Sequence, residues 1–367
     1  MLPTVLINAR FLTQATTGVQ RYAIELVKTW DAMLDSGELD MANVRFALVA
    51  PQGRLVDLQL KHIPVRQLGR FDGQLWEQFE LPYHARGHFL INLCNSAPLF
   101  KRQQTVTIHD ASVFGFPAAY GFRFRVWYKF LHKMLGKRLP LILTDSHFSS
   151  SELVKFCGIA EDKIHVVHLG CDHIHAVAMD AGIISRNGLN KVQFVLAVSS
   201  MSPHKNFQAI ANAIPLMKNN IEVVIAGGVN PRIFSQAGMA LPANVRHLGY
   251  VSDAELRALY EHAACFVYPS FYEGFGLPPL EAMASGCPVI AASAASLPEV
   301  CGDAALYCDP HDPADIAEKM ERLMRDKGLQ EAMRSKALER SRQFTWAECA
   351  RATWSAIANA HHEGKTH

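Results

Sequence analysis

The sequence predicts an α/β protein made of two doubly wound domains, each with a parallel sheet. Short apolar runs rich in β-branched residues alternate with longer runs of helical period, and this alternation is typical of parallel sheets covered by helices on both faces. The alternation stops once near the middle of the chain and then restarts. A chain of 367 residues is also long enough for two ordinary domains with buried cores.

The first half of the chain supplies the first predicted sheet. Its strands are the apolar runs TVLINARF (4–11), VRFALVAP (44–51), FLINL (89–93), QTVTIHD (104–110) and LILTDS (141–146). Helical patterns fall between or after these runs, as in QRYAIELVKTWDAML and FSSSELVKFCG. We therefore expect a first domain over residues 1–172.

The second half repeats this organisation after a segment, residues 173–191, that lacks periodicity, is rich in turn formers and is expected to be a linker. The second set of predicted strands is QFVLAVSS (193–200), IEVVIAGG (221–228), VRHLGY (245–250), CFVYPS (265–270) and PVIAAS (288–293). NFQAIANAIPLM and DAELRALYEHAA are the helical patterns between them. We expect a second domain over 192–345 and a C-terminal helix within 346–367 that could pack back on the first domain.

Composition excludes several classes of protein. The 36 basic and 34 acidic residues nearly cancel, so the charge of the whole chain predicts no nucleic-acid partner. The eight cysteines include no C-x-x-C pair, which argues against a zinc site of standard spacing and favours a reducing compartment. No apolar run approaches the roughly 20 residues that span a bilayer, and we expect no signal peptide before the first strand. A cytoplasmic location is expected.

The segment FYEGFGLPPLEAMASG, residues 271–286, predicts a ligand site. Gly274 and Gly276 allow a close backbone approach between a strand and a helix whose first turn holds two prolines. Free N–H groups and the positive end of the helix dipole favour a phosphate there. Glu281 would repel a phosphate and suits a neutral diol such as a ribose, and Glu273 could face a sugar ring. Two plainer interpretations stay open: Glu281 complements the helix dipole, and Glu273 is a solvated loop residue.

The stretch EGFGLPPLE, residues 273–281, resembles the E-x7-E motif of the retaining glycosyltransferases of family four, which have the GT-B fold. The resemblance covers nearly the whole chain and includes TGVQRY, TIHD, SPHKN, IAGG, LGYVSDAEL, LYEHAACFVYPS and ASGCPVI in this order. It implies two Rossmann-like domains that face a central cleft. It also implies a retaining hexosyltransferase that uses a nucleotide sugar.

The resemblance implies a donor site in the second domain. Glu281 is expected to bind the ribose hydroxyls, Glu273 to lie beside the sugar, and Lys205 to bind the diphosphate. The loop amides expected at the distal phosphate belong to Gly274, Phe275, Gly276 and Leu277. The sequence departs from the family where many members have a glycine and an arginine, because Ser199, Ser200 and His204 stand there instead. His204 could replace the second cation, and Lys205 could also be an ordinary surface lysine at a helix start.

The first domain contributes two further expectations. Gly18, in the loop before the first helix, could bring a backbone amide near the diphosphate or the acceptor. By resemblance, His109 contacts the donor sugar near the reaction centre through its backbone or ring; a packed strand-end histidine is the alternative. The expected catalytic residues are therefore His109, Glu273 and Lys205. No D-x-D occurs in the chain, so we expect no metal and no other cofactor.

A basic segment follows the TIHD motif. No acidic residue occurs from Ala111 to Thr144, and the expected acceptor or membrane face consists of Arg123, Arg125, Lys129, Lys133 and Lys137. A helix would place most of these on one side, next to an apolar side formed by Trp127, Phe130, Leu131 and Met134. The segment could contact anionic lipid or a lipid-linked acceptor at the inner face of the plasma membrane, or it could be a solvated face over a normal core.

The functional hypothesis that fits these features best is transfer of a hexosyl group to a saccharide or lipid-linked saccharide in bacterial polysaccharide synthesis. The TGVQRY and TIHD features look like those of enzymes that build surface polysaccharides, many of which use GDP-mannose, so mannose is the expected sugar. Two alternatives remain at this point. One is a sugar-nucleotide epimerase or phosphorylase of the same architecture, and the other is a non-catalytic nucleotide-binding scaffold.

Overall fold

The computed structural model describes residues 4–38, 44–199, 202–219, 221–228 and 244–363. The chain divides into two compact units. Unit 1 contains the residues up to Gly170 together with those from Trp346 onward, and unit 2 runs from Cys171 to Thr345. The first boundary therefore lies two residues before the end of the expected first domain.

Unit 1 contains a seven-stranded sheet in which all the strand pairs are parallel. Its strands are β1 (Thr4–Asn8), β2 (Arg45–Ala50), β3 (Val65–Gln67), β4 (Phe89–Asn92), β5 (Gln104–Thr107), β6 (Ile142–Thr144) and β7 (Ile164–Val166). Their spatial order is β3-β2-β1-β4-β5-β6-β7, so the chain changes direction across the sheet between β1 and β4. Doubly wound sheets bind ligands beyond the carboxyl ends of the strands at such a switch point.

The helices of unit 1 enclose this sheet. They are α1 (Gly18–Ser36), α2 (Gly73–Leu75), α3 (Leu81–His84), α4 (Ser112–Gly115), α5 (Phe122–Arg138) and α6 (His147–Cys157), with a π-helical turn at Trp76–Glu80 and the C-terminal helix at Trp346–Glu363. The C-terminal helix packs against α1, where the Trp30 indole donates to the Ala350 carbonyl at 3.0 Å. Trp30 is fully buried, so this contact fixes the end of the chain to unit 1.

Unit 2 contains a six-stranded sheet, again with parallel pairs. Its strands are β8 (Phe194–Ser199), β9 (Glu222–Gly227), β10 (Val245–Gly249), β11 (Cys265–Tyr268), β12 (Val289–Ala292) and β13 (Ala305–Cys308). The spatial order is β10-β9-β8-β11-β12-β13, which places the switch point between β8 and β11. The predicted α/β class with two doubly wound parallel sheets is confirmed.

The described helices of unit 2 include two in the segment expected to be a linker. The two are α7 (His173–Ala176) and α8 (Gly182–Arg186). The others are α9 (Phe207–Ala213), α10 (Asp253–His262), α11 (Leu277–Ala284), α12 (Leu297–Cys301), α13 (Pro313–Arg325) and α14 (Lys327–Ser341). Residues 173–191 belong to unit 2 and are fixed to α10. Arg257 donates to the carbonyls of His175 and Val177 at 3.2 and 2.7 Å, and Arg186 donates to Glu255 at 2.7 Å.

Candidate active site

Lys205 and Glu273 form an ion pair at the switch point of the second sheet. Lys205 follows β8, and Glu273 follows β11. The Lys205 ammonium donates to both Glu273 carboxylate oxygens at 2.8 Å and to the Tyr268 hydroxyl at 2.8 Å. Only 8% of Glu273 is exposed. Separate motifs predicted Lys205 and Glu273 for the same site, and in the structure the two side chains form one bidentate contact.

The charge of Lys205 controls the protonation of Glu273. Burial alone would raise the pKa of this carboxyl group, because desolvation penalises the charged form. The ammonium of Lys205 and its hydrogen bonds outweigh burial, so the pKa of Glu273 lies below its usual value of 4.5. Glu273 is therefore an ionised carboxylate at neutral pH.

Asn206 fixes the turn that carries Lys205. Its backbone is left-handed, with φ of 55°, a conformation that asparagine tolerates better than most residues. Its buried side-chain amide donates to the carbonyls of Pro269 and Pro310 at 2.9 and 2.7 Å. The Phe271 amide also donates to the His204 carbonyl at 2.8 Å. These bonds tie the turn after β8 to the loop after β11 and thereby hold Lys205 next to Glu273.

Ser296 and Gly276 shape the loop before α11. The buried Ser296 hydroxyl contacts the carbonyls of Glu273 and Phe275 at 3.0 and 2.7 Å. Gly276 has φ of 109°, and a Cβ atom there would lie 2.7 Å from a methyl carbon of Leu297. A side chain at Gly276 would therefore meet both backbone strain and a steric clash.

The start of α11 has few amide donors. Helix α11 begins at Leu277 with Gly276 as its N-cap, and Pro278 and Pro279 follow. Proline has no backbone N–H, so Leu277 carries the one amide N–H among the first three residues of this helix. The predicted contacts of Gly274, Phe275, Gly276 and Leu277 with a phosphate stay predictions.

Glu281 has a histidine partner that the sequence did not indicate. The Nε2 atom of His173 lies 3.0 Å from Oε1 of Glu281, and both residues are more than nine-tenths buried. His173 begins α7, 108 residues away in the chain. Because a carboxylate accepts and the imidazole donates, His173 fixes the orientation of Glu281. The position of His173 shortly before the second set of predicted strands was the sequence signal for this contact.

The sequence departs from the family pattern at three residues close to Lys205 in the chain, which are Ser199, Ser200 and His204. His204 forms part of a short 3-10 turn, and its Nδ1 atom lies 2.8 Å from the Ser202 hydroxyl. Ser199 ends β8, while Ser200 lies outside the described residues. The role of His204 as a second cation therefore stays a prediction.

His109 is buried two residues after the end of β5 in unit 1. Its Nδ1 atom lies 2.7 Å from the Asp145 carboxylate, and its Nε2 atom lies 2.9 Å from the Leu93 carbonyl. The Leu93 carbonyl can only accept, so Nε2 carries a hydrogen. Burial lowers the pKa of His109, but Asp145 and Leu93 raise it by a larger amount, and the pKa is raised overall. Both ring nitrogens are engaged inside unit 1, and the predicted contact with a donor sugar stays a prediction.

A buried polar network at the switch point of the first sheet was missed by the sequence reasoning. Glu77, 1% exposed, accepts from the Asn8 amide at 2.7 Å, from Arg10 at 3.2 Å and from the Ser96 hydroxyl at 2.7 Å. Arg10 also donates to Ser96 at 2.9 Å. In the sequence, the signal for this network was the pair of polar residues Asn8 and Arg10 in the otherwise apolar run TVLINARF. Gly18 is exposed at the start of α1, and its predicted contact with the diphosphate or the acceptor stays a prediction.

Similarity to known proteins decides the family of this chain. Residues 183–340 match the family described as "Glycosyl transferases group 1". The O-antigen chain mannosyltransferase B of Escherichia coli is 32% identical over 93% of this chain and 95% of its own length. The chain belongs to the group 1 glycosyltransferases. The predicted family is confirmed, and the protein is a hexosyltransferase, which removes the epimerase and scaffold alternatives.

Other relatives of this glycosyltransferase agree with the assignment. The O-antigen chain mannosyltransferase RfbU of Salmonella typhimurium is 33% identical over 58% of each chain. The crystal structure of Anabaena Alr3699/HepE in complex with UDP and glucose matches with a TM-score of 0.76 at 17% identity, over 98% of this chain and all of that one. WaaG, a glycosyltransferase involved in lipopolysaccharide biosynthesis, matches with a TM-score of 0.69 at 14% identity, over 95% of this chain and 98% of that one. These likenesses confirm the GT-B fold.

The basic segment of the glycosyltransferase is helix α5, as predicted. Arg123, Lys133 and Lys137 are exposed, while Arg125 and Lys129 are half-buried. Leu131 is fully buried, and Trp127 and Met134 pack against the same core. Phe130 departs from the expected apolar side because 49% of it is exposed. Among the described residues, no helix has both the length and the apolar character required to cross a bilayer.

Proposed function

We propose that this glycosyltransferase moves a mannosyl group from GDP-mannose, with retention of configuration, to a saccharide or lipid-linked saccharide of a bacterial surface polysaccharide. The observation that carries the proposal is the contact of Lys205 with both oxygens of the buried Glu273 at the carboxyl ends of β8 and β11. The choice of mannose rests on the relatives, two of which are O-antigen chain mannosyltransferases.

Lys205 is the proposed electrophile at the diphosphate. Breaking the bond between the sugar carbon and the phosphate oxygen leaves an additional negative charge on the departing nucleotide. A fixed donor aimed at such a charge lowers the barrier by about 3 kcal/mol. Lys205 is 22% exposed at its side chain, whereas Glu273 is 9% exposed. The ammonium is therefore reachable by a phosphate from solvent while it stays oriented by Glu273.

Glu273 and Glu281 have different proposed tasks, which follow from their partners. Glu273 is ionised beside Lys205, so it can stabilise positive charge that develops on the sugar ring as the bond to phosphate breaks. Glu281 has one carboxylate oxygen on His173, so its other oxygen would accept from the two ribose hydroxyls. Retention is compatible with a front-face reaction in which the leaving phosphate helps to deprotonate the acceptor, and Glu273 need not form a covalent bond.

Transfer is proposed to proceed without a metal ion. Lys205 and the amides near Leu277 would offset the charge of the diphosphate in place of a divalent cation. Activity should be unchanged by EDTA. Loss of activity with EDTA and recovery with Mn²⁺ would contradict metal independence.

A thermal-shift screen with GDP-, UDP-, dTDP- and ADP-sugars tests the donor. A ligand that binds the folded chain raises the melting temperature by mass action, and GDP-mannose should give the largest shift. Product analysis with saccharide acceptors then tests transfer. A larger shift with another nucleotide sugar would replace GDP-mannose, and binding without product would contradict the proposed transfer.

Two variants separate the proposed tasks. Glu281→Ala should weaken nucleotide binding, because the ribose loses its acceptor, whereas Lys205→Ala should mainly reduce turnover by about 100-fold. Lys336→Ala is a matched control, since Lys336 is an exposed lysine of unit 2 that pairs with the exposed Asp303. Unchanged kinetics in both site variants would remove the site assignment.

The surface of α5 supports a proposed contact with the inner face of the plasma membrane. Phe122, Val126 and Phe130 lie four residues apart on this helix and are 71%, 51% and 49% exposed. Basic side chains surround this stripe, including Arg123 and Lys133. Exposed apolar residues with flanking cations suit an interface with anionic lipid headgroups, where each cation contributes about 1 kcal/mol.

Liposome flotation tests the membrane contact. The protein should float with vesicles that contain phosphatidylglycerol at low salt and should not float with pure phosphatidylcholine. Lys133→Glu should reduce binding at least about fivefold, and Phe122→Ser should reduce it as well. Lys28→Glu on α1 controls for net charge, because Lys28 is a partly exposed lysine of the same unit. Absence of flotation with anionic vesicles would end this proposal.

A further inference from the structure

Four exposed apolar side chains form a row on the outer face of the segment 71–86 in unit 1. Phe71, Leu75, Phe79 and Tyr83 follow one another at intervals of four residues across α2, the π-helical turn and α3. Residues four apart lie on the same side of a helix. Each of the four is between 52% and 75% exposed. We call these four residues the apolar row.

The core of unit 1 is closed by the other side of this segment. Trp76, Leu81 and Ala85 are fully buried there and pack with residues of β1, β2 and β4. The Trp76 indole also donates to the Leu68 carbonyl at 2.7 Å. A helix at a protein surface usually places polar residues on its outer face. An outer face of aromatic and aliphatic residues therefore indicates a binding partner.

The apolar row is large enough for association with another protein. Its four side chains leave about 450 Å² accessible, and the largest apolar patch on a typical monomer, often a functional one, covers about 300–600 Å². Phe100 is 77% exposed, and the neighbouring Leu99 amide donates to the Gln78 side chain of the same segment at 3.0 Å. A stable interface buries about 800 Å² on each partner. The row supplies more than half of this area, and the polar residues around it supply a rim.

The two ends of the segment differ in charge. At the first end, Asp72 is exposed, and the Glu80 carboxylate accepts from two backbone amides at 2.9 Å, beside one cation, Arg70. At the other end, Arg86 is exposed, and the Lys101 ammonium donates to backbone carbonyls at 2.7 and 2.9 Å. Among the described residues, neither Asp72 nor Arg86 has an ion-pair partner. Anionic lipid would repel the carboxylates of the first end, whereas a surface with the reverse order of charges fits both ends.

We propose that this surface binds a second copy of the chain, with the two segments antiparallel about a twofold axis at Phe79. In such an isologous pair, each contact occurs twice by symmetry, and positions equally far from Phe79 meet. Leu75 and Tyr83 lie four residues on either side of Phe79, and Asp72 and Arg86 lie seven residues on either side. Apolar side chains therefore meet at the centre, and each Asp72 faces the partner's Arg86. A second copy thus presents the reverse order of charges that the two ends require.

Sedimentation velocity of the full chain tests the association. Wild type should be a dimer at micromolar concentration, and Phe79→Asp should weaken the dimer at least about 30-fold, because it places two carboxylates at the centre of an apolar contact. Tyr250→Asp is a matched control that should leave the dimer unchanged, since Tyr250 is an aromatic residue of unit 2 that is 91% exposed. Urea unfolding of dilute protein should give the same midpoint for wild type and Phe79→Asp, because Phe79 is 64% exposed and lies outside the core.

Charge reversal tests the antiparallel register. Asp72→Arg places cations opposite each other, and Arg86→Asp places carboxylates opposite each other, so each single variant should weaken the dimer about tenfold. The double variant restores opposite charges and should recover the association of wild type. An equal mixture of the two single variants should form a heterodimer, because one variant then presents two cations to the two carboxylates of the other. Misfolding would produce neither recovery.

Four results would overturn the proposal. The first is a wild type that stays monomeric up to about 100 µM. The second is a dimer that Phe79→Asp leaves intact, which would place the contact on another surface. The third is a double variant and a mixture that associate as weakly as the single variants, which would contradict the antiparallel register. The fourth is a monomeric wild type that floats with phosphatidylglycerol vesicles through Phe79, which would assign the apolar row to lipid.

Discussion

Lys205→Met tests the energetic basis of the proposed donor site. The change keeps much of the apolar stem and removes the ammonium that contacts both Glu273 oxygens and the Tyr268 hydroxyl at 2.8 Å. The Glu273 carboxylate would then be buried without its cation. Burial would dominate, and the pKa of Glu273 would rise above 4.5 instead of lying below it.

The size of the effect follows from burial. Removing one partner of a buried ion pair costs about 3–5 kcal/mol. The exposed fractions of 22% for the Lys205 side chain and 9% for Glu273 place this pair at the lower end, near about 3 kcal/mol. For a unit of this size, such a loss lowers the melting temperature by about 6–12 °C.

Urea and thermal unfolding of three variants provide the assay. They are Lys205→Met, Glu273→Gln and the double variant, each compared with wild type at pH 7. The double variant removes both charges, so it should be more stable than Lys205→Met alone. The difference isolates the cost of the unpaired carboxylate.

Two results would refute this reasoning. The first is a Lys205→Met protein as stable as wild type, which would mean that solvent screens Glu273 fully. The second is a double variant no more stable than Lys205→Met, which would mean that packing by the lysine stem, and not charge, is what stabilises the turn.

Three further predictions use other contacts of the two units. The folded-state pKa of Glu273 is lowered from 4.5, so its contribution to stability is present above 4.5 and is lost as the pH falls through the lower folded-state value. The stability gap between wild type and Glu273→Gln should therefore narrow as the pH falls below 4.5, as measured by urea unfolding at several pH values. Gly276→Ala should destabilise the protein by about 1–3 kcal/mol, because its φ is 109° and its Cβ would lie 2.7 Å from Leu297; an unchanged urea midpoint would contradict the strain. Asp145→Asn should destabilise unit 1 by about 3 kcal/mol, because it removes the charged partner of the buried His109, and a melting curve like that of wild type would contradict this.

The strands that the sequence did not predict are all at sheet edges. β3 and β7 are the two edges of the first sheet, and β13 is an edge of the second. Each is three or four residues long, and each has exposed or half-buried positions. Central strands of parallel sheets are covered on both faces and read as continuous apolar runs. Edge strands have a weaker signal, so the sequence predicted every central strand but only one of the four edge strands, β10.

The candidate site was predicted residue by residue but not as a set of contacts. Lys205 and Glu273 were identified from the motifs around them, yet their direct bond depends on two strands that are adjacent only in the folded sheet. His173 was missed because its partner, Glu281, is 108 residues away and because its segment lacks periodicity. Local patterns identify residues at strand ends, whereas pairing between loops depends on strand order.

The two sheets have one strand order around the switch point but different electrostatics there. In both, the third, second, first and fourth strands of the unit lie side by side, and loops from the strands beside the switch point carry charged groups. In unit 1 the cation is Arg10, which is largely buried and bonded to Glu77. In unit 2 the cation is Lys205, whose ammonium is bonded to Glu273 but remains partly accessible. Because accessible positive charge attracts phosphates, the partial accessibility of Lys205 supports the proposal that unit 2 binds the nucleotide diphosphate.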